Sequence, residues 1–583
     1  MADLQTNQSG KPKKELTMEI RLLIAFLLMG LILFVTPYIY KAPPPPKPTQ
    51  PAKQAEKSAP AAATEAETTK PVSTATAVPA APAPGQIQAT SEQLFTVDTA
   101  IYHIVFSNHG AVAQSWLLKK YKDHNGKPLD LANPASFSKV PPPMSLALKD
   151  EQAQNALNFG LYAAKPDSDG LGIQYEFSDG ANYAKKTFRF TPNGYLTEIT
   201  TEVTHNGAPM EHMIAWRGGF GDPTVLNRAA ERHAVAYDLR APSRFLGFEV
   251  GQGTLVTKDA KSVKDGPYST AGNFSFAGLD DKYFACVFLP KDNVSTKVEF
   301  LKDDAPVTPG GKDEMQVGAE VGGDSVNHLT AFVGPKDVDL LRVVDPKLQQ
   351  LIDWGWYGVI AKPIFIAMHW LNDNAIHNYG WCIIIVTIAI NLIVLPLRFS
   401  SLKSQRKMQR LQPQISAINA KYKGLSLRDP KKAQQNQEVM ELYKKEGVNP
   451  LGGCLPMLIQ LPLLYAFYKV LAVTIELRGA HWLWVTDLTQ PEQLAIHMLP
   501  IIMIVTQFIA QKMTPTPGMD PAQAKMMGFM PLMFGFLFYN ASSGLVLYWL
   551  TSNVVGIVQQ WMINKTMPSP PAPAPKLAPK KKN

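Results

Sequence analysis

The chain has 583 residues, with 57 Lys or Arg against 48 Asp or Glu, a formal charge of +9. Its three cysteines, Cys286, Cys382 and Cys454, cannot build a disulfide framework and read as small apolar residues. Pro, Ala and Thr dominate one internal stretch and apolar residues crowd the last third. That partition argues against a soluble enzyme and fits a membrane protein with one large extramembrane domain.

In chain order, the basic residues Lys11, Lys13, Lys14 and Arg21 precede an apolar run, "LLIAFLLMGLILFVTPYIY", at 22–40. The run is longer than a signal-peptide core and lacks a small-x-small cleavage site at its end, so an uncleaved first span is expected, with residues 1–21 in the cytoplasm. Residues 41–90 are rich in Pro and Ala, cannot bury a core, and read as an extended tether. Residues 91–340 carry strand signals throughout. In "TFRFTPNGYLTEITTEVTHNG" a Pro-Asn-Gly turn separates Phe188 and Phe190 from Tyr195, Ile199 and Val203, a hairpin with one apolar face. With turns at short spacing and no long helical pattern, an antiparallel β-sandwich is expected. Its histidines (His103, His109, His205, His212 and His233) lack metal-ligand spacing and read as surface or strand-face residues.

Residues 345–373 show helical periodicity with Trp354, Trp356, Tyr357 and Trp370, the pattern of an amphipathic helix lying at the membrane boundary. Five further apolar segments follow at 381–397, 455–474, 494–511, 526–540 and 544–563. Between the first two of these, residues 398–448 form two polar helical patterns broken by Gly424 and Asp429-Pro430, a helical hairpin. The stretch from Arg398 to Lys445 holds twelve Lys or Arg and three Asp or Glu, 12 − 3 = +9, which assigns it to the cytoplasm. Loop 475–493 has one base and three acids and falls outside; loop 512–525 and the basic tail 564–583 fall inside. The expected fold is a polytopic α-helical protein with six transmembrane helices, both termini cytoplasmic, and a periplasmic antiparallel β-sandwich.

No ion-relay pair, Gly-rich phosphate loop or zinc spacing is present, so no cofactor, metal or catalytic residue is expected. "ASSG" at 541–544 admits an intramembrane serine protease using Ser543, for which His497 is the only candidate partner. A secondary transporter would show paired repeats and intramembrane charge, and neither is visible. An envelope scaffold is the third alternative. The spans do carry uncharged polarity: Thr387 and Asn391 on one stripe leading down to Arg398, Gln460, Thr506 and Gln507, then Tyr548, Trp549, Thr551, Ser552, Asn553, Gln559 and Gln560. Individually such groups act as packing glue. Together, on at least four spans, they predict a wet hollow opening toward the cytoplasm.

The stretch "NPLGGCLPMLIQLPLLYAFY" (449–468) resembles the signature of YidC-type membrane protein insertases, and "MQRLQPQI", "ELYKKEGVNPLGG", "QKMTP", "FMPLMF" and "SGLVLYWLTSN" follow that family's pattern over about 350–563. The resemblance implies an insertase with no energy source of its own, working alone or with the Sec translocon and ribosome on nascent membrane proteins. It implies a hydrophilic groove open to cytoplasm and lipid, here lined by Thr387, Asn391, Arg398, Gln460, Thr506, Gln507, Tyr548, Trp549, Ser552 and Asn553. The hairpin bases Lys403, Arg406, Lys407, Arg410, Lys431 and Lys432 would recruit clients, ribosome or anionic lipids. The family usually has an arginine five residues before the Pro-Leu pair; here that pair is Pro396-Leu397 and the position is Asn391. A groove polar but uncharged at its centre is therefore expected.

Overall fold

A computed structural model describes residues 85–566, apart from 124–125, 225–230, 246–247, 292–294, 356, 423–430, 449–454 and 514–520. The first expected span, most of the Pro/Ala tether, the basic tail beyond 566 and Trp356 lie outside the described residues. The chain divides into two compact units, one built on residues 74–353 and the other on 354–472 and 476–583.

The first unit is antiparallel throughout, in sheets of four, ten and five strands. The hairpin read from the sequence is present: Asn182–Phe190 pairs with Leu196–His205, with Phe188 opposite Ile199 and Ala184 opposite Val203. Phe188, Phe190, Ile199 and Val203 are all buried, as period-two alternation against a core requires. Phe106, Trp116, Phe188 and Phe190 pack ring against ring, and Trp116 contacts Trp216 at 5.7 Å. Burial of these large rings is the main drive for the domain.

Buried charged groups sit in this core, among them Lys336 paired with Asp280 at 2.9 Å. Lys186 donates to the carbonyls of Gly110 (2.7 Å), Met144 (2.9 Å) and Ala111 (3.2 Å), and burial lowers its pKa to about 7. Arg217 pairs with Asp303 and lies 3.6 Å from Glu320, whose carboxyl burial pushes up to about 7. His212 departs from the surface reading. It is buried between Thr201 and Asn327, and burial lowers its pKa to about 4. A nine-residue helix, α1 (Glu151–Phe159), also interrupts the strands; the Asp150 carboxylate caps it by accepting from the Gln152 and Ala153 amides. A short helix, α2 (Val338–Val344), follows the last strand.

The second unit is helical. The amphipathic pattern of 345–373 resolves into a 3-10 turn at Pro346–Leu351, which belongs to the first unit, and a helix α3 (Gly358–Leu371) in the second. Then come α4 (Tyr379–Ile393), α5 (Leu395–Lys421), α6 (Lys431–Lys445), α7 (Leu455–Val473), α8 (Met498–Met513), α9 (Pro521–Phe538) and α10 (Ser543–Thr566). The segment expected as one span at 381–397 breaks at Val394 and bends by 58°. Pro396, in the first turn of α5, has no amide hydrogen to continue the ladder. Among the described residues no single helix is long and apolar enough to cross a membrane; the bent α4–α5 pair is, by length and composition. α5 and α6 form the hairpin, closed by Met408, Leu411, Ile415 and Val448 with Val439, Leu442 and Tyr443 against them. Its polar side is tied by Tyr422 Oη donating to Glu438 (2.8 Å) and by Lys421 to the same carboxylate (3.2 Å).

Candidate functional site

α10 packs against both α4 and α8, and it is the most polar of the apolar helices. Its polar side chains separate into two clusters.

The first joins α4, α5, α7 and α10. Thr387 is fully buried and turns its hydroxyl to the Ile383 carbonyl at 2.6 Å. Asn391 Nδ2 donates to the Thr387 carbonyl at 2.8 Å and reaches Ser552 Oγ at 3.5 Å. Arg398, seven residues further on, curls back toward the bundle: Nη1 donates to Gln559 Oε1 at 2.8 Å and to Asn391 Oδ1 at 3.3 Å. Gln559 Nε2 closes the ring on the Asn391 carbonyl at 3.4 Å. Gly556 of α10 lies beside this guanidinium, where a Cβ would stand in ordinary contact, 3.5 Å from Nη1. From α7, Gln460 Nε2 donates to Tyr548 Oη at 2.8 Å, and the Tyr548 ring stacks on Phe467 with centroids 4.1 Å apart.

A pocket of about 10 Å³ opens beside this cluster, lined by Asn391, Arg398 and Gln460 with Ile390, Val394, Leu397 and Leu463. That is room for about one water molecule. The polar groups are thus satisfied mainly by each other. Nor is the centre uncharged, as expected from Asn391: a guanidinium stands against that amide, and among the described residues no carboxylate pairs with it. A half-buried cation held by neutral oxygens remains able to accept an anionic partner.

The second cluster lies between α8 and α10. Trp549 Nε1 donates to Gln507 Oε1 at 3.0 Å, and Asn553 Nδ2 reaches Thr506 Oγ1 at 3.3 Å. Thr506 also bonds back to its own helix through the Ile502 and Met503 carbonyls. The ten candidate residues therefore form a continuous cluster around Asn391 and a separate helix–helix seam. Gln559, read from sequence as polar but not as one of the ten, belongs to the first cluster, and so does Phe467. Amphipathic spacing gives no sign that Arg398 turns upward rather than toward solvent.

Of the hairpin bases, Lys403, Lys407, Arg410 and Lys431 are exposed, and the Lys432 side chain lies outside the described residues. Arg406 is different: it is buried and donates to Asn564 of α10. The serine-dyad geometry is not formed. Ser543 Oγ donates to the Gln490 carbonyl at 2.9 Å, while His497 Nδ1 lies 2.7 Å from the Tyr539 carbonyl oxygen.

Around the polar interior the outward faces are apolar and bare, with Ile393 at 78% and Phe536 at 90% exposure. A polar, hydrogen-bonded interior inside apolar outer faces, carried with a β-rich domain, defines a helical membrane protein with a large extramembrane domain. Residues 370–570 match the family described as 60Kd inner membrane protein, and residues 94–367 match the YidC periplasmic domain. The "Membrane protein insertase YidC" of Geotalea daltonii is 34% identical over 566 residues, 95% of this chain and 100% of that one. That of Geobacter sp. strain M21 is 34% identical over 484 residues, 81% and 85% of the two chains. A solved structure titled as an active YidC insertase covers 92% of this chain and 98% of its own at 17% identity, with a TM-score of 0.34. The chain belongs to the YidC family, and is an inner-membrane protein with a periplasmic domain.

Proposed function

We infer that the protein is a membrane protein insertase and not an enzyme: it receives nascent membrane proteins and lowers the cost of carrying their polar segments into the bilayer. The single observation that carries this reading is the Arg398–Asn391–Gln559 cluster, a charged polar centre enclosed by helices whose outer faces are apolar. An unsatisfied polar group in hydrocarbon costs several kcal/mol, and a ring of exchangeable amides, hydroxyls and one guanidinium removes most of that cost. Because the ring is closed on itself beside a one-water pocket, entry of a client proceeds by exchange. The client's polar tail takes over hydrogen bonds that Arg398, Asn391, Gln460 and Tyr548 make to each other. Burial of its apolar helix against the bare outer faces supplies the drive.

The finer parts of the reading rest on the sequence. Six spans with both termini cytoplasmic satisfy the charge of every loop. The exposed bases Lys403, Lys407, Arg410 and Lys431 suit ribosomal RNA or anionic lipid at the cytoplasmic face, and larger clients would be shared with the Sec translocon. The test is reconstitution. Purified protein in vesicles should protect the translocated tail of a short single-span client from added protease, with no translocon present. Unchanged client accessibility in protein-containing and empty vesicles would reduce the protein to a scaffold.

A further inference from the structure

The loop between α7 and α8 carries a feature that the insertion reading does not use. Trp482 and Val485 exchange both backbone hydrogen bonds, Trp482 N to Val485 O at 2.9 Å and Val485 N to Trp482 O at 2.8 Å, so Leu483 and Trp484 form a two-residue tip. Leu483 has φ of +49°, a conformation that glycine adopts freely and leucine does not. Yet its side chain is 62% exposed, and that of Trp484 beside it 41%. An apolar residue is held in a strained backbone with most of its surface bare.

The base of the tip is rigid. Trp484 Nε1 donates to Glu492 Oε1 at 2.6 Å, and the other oxygen of that buried carboxylate accepts the Leu499 amide at 2.8 Å, in the first turn of α8. Trp482 lies so close to Gly380 that a Cβ there would fall 2.3 Å from its ring. Trp482 also meets Trp381 edge to face at 5.7 Å and Trp484 at 5.8 Å. Trp381 heads the exposed stripe of α4, continued one, two and three turns on by Ile385, Ile388 and Leu392. Three indoles thus link the tip to an outer face that has no protein cover.

We propose that Leu483 and Trp484 form a fixed wedge seated in the interfacial layer of the outer leaflet, with phospholipid as its partner. The proposal rests on the membrane-embedded reading of the helical unit. Trp484, with its N–H bonded to Glu492 and its ring partly bare, suits the boundary between headgroups and acyl chains, and Leu483 projects one side chain further from the same turn. The wedge ties the α7–α8 loop, and through Glu492 the start of α8, to a set depth in the bilayer.

The test uses the full chain in phosphatidylethanolamine–phosphatidylglycerol vesicles, with Cys286, Cys382 and Cys454 replaced by Ala and an environment-sensitive fluorophore on Leu483→Cys or, as control, Ile388→Cys. Lipid-borne nitroxide near the headgroup should quench the label at 483 more than a deep nitroxide does, and aqueous iodide should quench it less than it quenches free dye, as an interfacial position requires. The label at 388 should be quenched best by a deep nitroxide. A label at 483 that iodide quenches like free dye, while 388 responds to lipid, overturns the wedge and leaves the embedding intact. If neither label responds to lipid, the embedding fails and the wedge with it. Trp484→Phe supplies a second readout on the native backbone: it should remove part of the intrinsic fluorescence that brominated lipid quenches, and an unchanged quenchable fraction counts against the wedge.

Discussion

The Arg398 guanidinium and the Gln559 amide, 2.8 Å apart, join the bent α4–α5 segment to α10 across the polar interior. The charge at the centre of the helical unit is rooted two turns below Asn391 and delivered upward, to the Asn391 and Gln559 side-chain oxygens. Its position depends on side-chain reach, and that makes it testable by exchanging residues.

Arg398→Ala should lower insertion of clients with acidic tails more than those with neutral tails, because hydrogen bonds to a charged group are worth roughly 1.5–3 kcal/mol. Asn391→Arg alone should also impair insertion, since a second guanidinium would face the first. Combined with Arg398→Ala it should recover, having moved one charge by two turns. Protease protection of paired acidic and neutral clients reads all three; a double variant no better than either single one would show that a charge rooted at 391 cannot replace the one delivered from 398.

Tyr548→Phe deletes only the hydroxyl that accepts from Gln460, keeping the stack on Phe467. The variant should fold, lose on the order of 1 kcal/mol of stability, and slow insertion of polar-tailed clients. Thermal denaturation in detergent and a client time course separate the two effects.

In the β-rich domain, Lys186→Met removes the donor shared by three buried carbonyls, those of Gly110, Ala111 and Met144. Each orphaned acceptor costs about 1–3 kcal/mol, so the loss should exceed about 3 kcal/mol in total. Hydrogen exchange of strand amides in the full chain measures it.

Glu320 gives the same domain a pH dependence. Its pKa is raised by burial to about 7, so the folded state binds a proton that the unfolded chain releases near 4.3. The associated stability is fully present below about 4.3 and is lost as pH rises through 7. Glu320→Gln should flatten that slope and, above pH 7, slow exchange of the amides at Ala319 and Val321 relative to wild type.

Much of the architecture was legible because it depends on period and turn chemistry. The Phe188–Ile199 hairpin and the Met408–Ile415 face of the cytoplasmic hairpin follow from alternation and helical spacing. The bend at Val394 was signalled by Pro396, but an unbroken apolar run conceals a break in the ladder. The nine-residue α1 escaped notice because it is too short to show periodicity; Asp150 followed by an amphipathic turn was its one sign. At the site, residue types were legible and partners were not. Composition marks Thr506, Gln507, Trp549 and Asn553 as polar along with Asn391, yet helix packing assigns them to a separate seam. The upward turn of Arg398 depends on acceptors seven residues back and on another helix, Asn391 and Gln559, which no local pattern reports.

The central claim is that a client's polar segment exchanges bonds with the Asn391–Arg398–Gln460–Tyr548 cluster. A photo-crosslinking residue at Gln460 or Tyr548, tested against a stalled nascent chain carrying a short polar tail, measures this directly. Crosslinks to the tail from both positions are the predicted result. Crosslinks from the exposed outer positions Phe536 or Ile393 alone, with none from 460 or 548, would contradict the account.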